Sequence, residues 1–103
     1  MAADKRLFDR IHLEEPEWIP CEGIGYAFSG RIAVLSLGGV LVNTPKRYAI
    51  GTLLSLRLKH GLEIVEADCI VRDFDGDRIG LEFVKFRGSG EDRLKEILER
   101  LRA

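Results

Sequence analysis

The chain has 103 residues, 46% of them hydrophobic and 32% charged, with a formal net charge of -1. This length suits one domain and excludes two, and the balance is that of an ordinary globular domain. With so little net charge, nothing global draws the chain to a nucleic-acid polymer or an anionic membrane surface, so an anion would have to be held by a local cluster of cations.

Residues 1 to 16 read as a loosely held arm. Asp4, Lys5, Arg6, Asp9 and Arg10 surround Leu7, Phe8 and Ile11, and Glu14-Glu15-Pro16 interrupts any helix. No apolar stretch follows the first charges, so no signal peptide is expected and the reading is a cytoplasmic protein. The most apolar run, Ile32 to Val42, is about half the length a bilayer needs and contains Ser36 and a glycine pair, so no membrane insertion is expected.

From Trp18 the signals become those of strands, and residues 17 to 87 are assigned to a barrel. Trp18 to Cys21 is short and broken by Pro20. Ala27 to Ser36 and Gly38 to Asn43 are longer, and Gly38-Gly39 between them marks a bulge or a close backbone approach. Leu54, Leu56 and Leu58 alternate with Ser55, Arg57 and Lys59, which predicts a strand with one wet face. His60-Gly61 makes a turn. Val65, Ala67, Cys69 and Val71 alternate with polar residues over Glu63 to Arg72, and Ile64 beside Val65 predicts a bulge near the start of that strand. Asp73 to Asp77 reads as a hairpin loop and Arg78 to Phe86 as the return strand.

The ending changes period. Leu94, Ile97, Leu98 and Leu101 fall on one face of a helix over residues 89 to 102. Ser89 is placed to cap it, with Glu91 and Asp92 in the first turn, Arg100 and Arg102 in the last, and Glu91–Lys95 and Glu96–Arg100 at favourable spacing. The fold expected is mainly β: a small antiparallel barrel of five to six strands in a single domain, with one C-terminal helix against an opening or side.

Several chemistries find no support. Cys21 and Cys69 are too far apart for a metal framework or a redox pair and read as two half-buried thiols in strands. Asp73, Asp75 and Asp77 resemble the start of a calcium loop, but Arg78 and Val84 stand where such a loop needs glycine and glutamate, so a solvated hairpin tip is the better reading. His12 and His60 have no second ligand at useful spacing, and no nucleophile elbow or phosphate loop occurs. An enzyme is not expected, nor a resident cofactor.

Arg6-x-x-x-Arg10 gains meaning from Ser36-Leu37-Gly38-Gly39 at the end of an apolar strand. Guanidinium forks match phosphate oxygens and the O6/N7 edge of guanine. A small hydroxyl and a bare glycine backbone let a flat anionic ligand lie close. Together these parts suit a guanine nucleotide.

With these motifs the chain resembles the PilZ domain. That family shows R-x-x-x-R in an N-terminal arm, matched by Arg6 and Arg10, and D/N-x-S-x-x-G at a strand junction, matched at Ser36 and Gly39 with Gly38 between them. Gly80-Leu81-Glu82-Phe83 matches a later G-x-x-F segment, and the helix follows in place. The resemblance implies a barrel that binds cyclic di-GMP through Arg6, Arg10, Ser36, Gly38 and Gly39 and couples binding to a surface for a protein partner. One position departs: Val34 stands where the family has an acidic or amide acceptor for a guanine edge, and a missing base contact costs about 1–3 kcal/mol. Two readings therefore follow from the resemblance. One is a nucleotide-gated regulatory module. The other is a divergent domain that binds no nucleotide and acts as a protein-interaction adaptor.

Overall fold

Alternating apolar and polar side chains build a sheet whose apolar face must be hidden, and this chain hides it by closure. The computed structural model describes residues 8–25 and 27–102. Among them lie β1 (Ile11–His12), β2 (Ile19–Gly23), β3 (Ser29–Leu35), β4 (Gly39–Asn43), β5 (Leu53–His60), β6 (Glu63–Asp75), β7 (Arg78–Phe86) and α1 (Gly90–Arg102). The strands run in the order β3-β2-β5-β6-β7-β4, and β4 pairs back to β3, which closes a six-stranded barrel. Every pairing is antiparallel. β1 is additional: it pairs with β3 through Ile11↔Leu35 and His12↔Val34, on the edge that β2 leaves beyond Ile32.

The interior follows from side-chain phase. Leu54, Leu56 and Leu58 of β5 face inward opposite Cys69, Ala67 and Val65 of β6, and all six are buried. The apolar stripe of α1 supplies Leu94, Ile97 and Leu98 to the same buried cluster, and the helix packs on β6 and β1. Its first turn is anchored by the Arg93 amide, which donates to the Ser89 carbonyl, and Lys95 pairs with Glu91 at 3.6 Å. Burying one such leucine or isoleucine stabilises the fold by about 1.5–3 kcal/mol.

Four details differ from the sequence-based expectations. Ile64 marks no bulge: β5 and β6 stay in register from Leu53↔Ile70 to His60↔Glu63, and Ile64 is simply a partly exposed apolar residue on the outer face. The irregularities of β6 fall instead at Asp68/Cys69 and Val71/Asp73, against β7. A further bulge at Ala33 shifts the phase of β3, so that Ile32 and Leu35, three positions apart, both face the core. The hairpin loop expected over Asp73 to Asp77 is shorter, because β6 runs on to Asp75 and only Gly76 and Asp77 turn. Within the segment read as an arm, residues 11 to 13 are bonded to the barrel, with the Leu13 amide donating to Ala33. The earlier part of that segment, residues 1–7, lies outside the described residues.

Candidate functional site

Cross-strand register decides what the outer wall of the barrel presents, because directly opposed residues project to the same face. One row, Leu35↔Val40↔Leu81↔Val71, is buried in the core. The adjacent row, Val34↔Leu41↔Gly80↔Asp73, faces the other way. Beyond it Gly39 lies opposite Glu82. These outward rows floor a cleft of about 620 Å³, whose walls include Phe8, Arg10 and the turn between β3 and β4.

That turn is tightly organised. The Ser36 amide donates to the Gly39 carbonyl at 3.0 Å, and the Phe83 amide reaches the Gly38 carbonyl at 2.9 Å. The Ser36 hydroxyl accepts from the amides of Gly38 and Gly39 at 3.1 and 3.3 Å. It is therefore committed first to shaping the turn. Gly39 cannot carry a side chain, since a Cβ there would fall on the Leu81 carbonyl oxygen of the neighbouring strand. The glycine lets β4 and β7 approach closely at this end of their pairing.

The structure thus places Arg10, Ser36, Gly38 and Gly39 around one cleft. Arg6 lies outside the described residues. Arg10 is exposed and has no ion pair among the described residues, which leaves its guanidinium available. Val34 is only 5% exposed, yet it lines the cleft and does not join the core cluster. Its side chain lines the cleft and offers no acceptor.

Charge in the cleft is mixed. Arg72 and Glu82 neutralise each other through a 2.7 Å bond from Nε. This leaves Arg10 against Asp73 and Asp75, so the described residues alone do not make a strongly positive site. Aromatic surface is present as well: Phe8 lies against Gly38, and Phe83 and Phe86 have ring centroids 5.0 Å apart. Asp73, Phe86 and the Arg72–Glu82 pair were not legible as site residues, because β6 and β7 reach the cleft only through register, and Phe8 reads only as part of the arm. The signal available was Gly80, a glycine inside a strand, which marks a close approach.

Among the described residues, no group of three or more His, Cys, Asp or Glu is arranged to hold a metal ion. No helix among them is long and apolar enough to cross a membrane.

A small closed barrel packed against a C-terminal helix carries on its outer wall a cleft flanked by Arg10. The chain belongs to the PilZ domain family, whose model matches residues 4–100. No curated protein sequence matches it. Its fold is similar to that of the PilZ domain of YcgR from Escherichia coli, solved with c-di-GMP, at TM-score 0.71 and 17% identity, over 96% of this chain and 92% of that one. It is similar to the Bacillus subtilis inhibitor of motility MotI/DgrA at TM-score 0.72 and 16% identity, over 90% of this chain and 49% of that chain. An uncharacterized Legionella protein matches at TM-score 0.67 and 23% identity, over 92% and 95% of the two chains.

Proposed function

We propose that this domain is a cytoplasmic regulatory module that binds cyclic di-GMP and passes the bound state to a protein partner. The observation that carries this reading is the convergence of Arg10, Ser36, Gly38 and Gly39 on one cleft, with Phe8 beside it. Arg10 offers its fork to a phosphate or to the Hoogsteen edge of guanine, Phe8 offers a ring face to a base, and the Gly38-Gly39 backbone allows close approach. The solved complex of the YcgR PilZ domain with c-di-GMP supports the choice of ligand. A dianionic ligand also requires more positive charge than the described cleft holds, which assigns Arg6 a share of the binding. A nucleotide held against Phe8 and Arg10 then changes the surface beside β1, through which the bound state passes to a partner.

Calorimetric titration of the whole chain with cyclic di-GMP tests this. Arg10→Ala should weaken binding roughly ten- to hundredfold, the worth of a charge-assisted hydrogen bond. Arg93→Ala should not, because Arg93 lies away from the cleft and donates to the Ile64 carbonyl. If the parent takes up no nucleotide at high concentration, the adaptor reading replaces this one. Val34 and the acidic side chains of the cleft are what favour that second reading.

A further inference from the structure

We propose that Asp73 is the guanine-selecting residue of the cleft, accepting from the N1–H and N2–H of a bound guanine in place of the acceptor that Val34 lacks. The inference rests on the nucleotide reading above and deepens it.

Three observations carry it. First, Val34 and Asp73 belong to one cross-strand row on the outer wall, Val34↔Leu41↔Gly80↔Asp73, so both project toward the same cleft. Second, Gly80 leaves a gap in that row, and the Asp73 carboxylate lies in it: a Cβ at Gly80 would fall on Asp73 Oδ1. The carboxylate is thereby carried one strand nearer to Val34, about two strand spacings or roughly 10 Å from it. Third, Asp73 has no hydrogen-bond or ion-pair partner among the described residues, whereas the nearby Glu82 is engaged by Arg72. A carboxylate beside an anionic ligand is unfavourable unless it meets donors. The Watson–Crick edge of guanine presents two donors side by side, which a carboxylate accepts together. Arg10 on the O6/N7 edge and Asp73 on the opposite edge then read guanine from two sides, and adenine, which lacks the N1–H donor, is rejected.

The test compares cyclic di-GMP with cyclic di-IMP, whose hypoxanthine lacks the N2 amino group, by calorimetry on the whole chain. The parent should prefer cyclic di-GMP by about fivefold to a hundredfold, the worth of one base contact. Asp73→Ala should bring that ratio close to one. Asp73 is exposed, so the change should leave the thermal melt in place. Gly80→Ala, whose new Cβ expels the carboxylate from its gap, supplies the same comparison should Asp73→Ala fail to fold. A parent that binds neither nucleotide overturns the nucleotide reading and this assignment together. A parent that binds without preference, or a preference that survives in the variant, overturns the assignment of Asp73 alone and leaves the nucleotide reading standing.

Discussion

Cys21 on β2 lies opposite Leu58, and Cys69 on β6 lies opposite Leu54; both thiols are free and buried. Burial pushes each of them up to about 12 from an ordinary 9.0. The folded chain therefore keeps two protons that the unfolded chain releases. Their contribution is fully present below about pH 9 and is lost as pH rises from there toward pH 12. Each thiol adds a slope of about 1.4 kcal/mol per pH unit within that window. Urea denaturation at several alkaline pH values should find the stability of Cys69→Ala falling less steeply than that of the parent by about one such slope. Equal slopes would mean that the thiol already ionises in the folded protein. The sequence reading puts both cysteines in strands as half-buried thiols, Cys69 by alternation and Cys21 in a short segment broken by Pro20; both are in fact buried, a depth that depends on barrel closure. Val34 is the converse case. Its residue type reads as core, and only the bulge at Ala33, invisible in the alternation, turns it toward the cleft.

Among the elements, α1 was the easiest to read and β1 the hardest. Four apolar residues on one face specify the helix, and three of them, Leu94, Ile97 and Leu98, have no exposed surface. Leu98→Ala should cost about 2–5 kcal/mol in chemical denaturation, because a helix held at both ends cannot collapse into the cavity. A loss under 1 kcal/mol would show that α1 docks loosely. β1 has only two residues, too few for any period to emerge, and it exists because β3 offers an unpaired edge beyond the end of β2. The outer face of the barrel was partly legible. Arg57 was read as a wet position, while its cross-strand row with Glu22 and Glu66 needed the register. Hydrogen bonds to Glu66 and then Glu22 raise the Arg57 guanidinium above its ordinary value. Nearby, hydrogen bonds from Ser55 and then Arg87 hold the Asp68 carboxyl below the usual carboxylate range.

Across the whole molecule, the cleft joins a turn that a motif reveals to two strands that only closure brings beside it. Val34, Leu41, Gly80 and Asp73 are separated along the chain and adjacent on the wall, so only the closed barrel lets them act on one ligand. A cycle of substitutions at Val34 and Asp73 measures whether they are coupled. With Asp73 already accepting from guanine, Val34→Asp alone should change cyclic di-GMP affinity little. In an Asp73→Ala background the same substitution should restore the preference for cyclic di-GMP over cyclic di-IMP, recovering about 1–3 kcal/mol. Val34 is nearly buried, and a carboxylate sealed from water destabilises a fold, so the melting temperature of each variant must be read with its affinity. Arg78→Ala serves as a control: its guanidinium lies over the Trp18 ring, 5.6 Å from the centroid, and it does not line the cleft. If Val34→Asp instead tightens binding equally in both backgrounds, the two positions act independently. Asp73 would then not stand in for the acceptor missing at position 34.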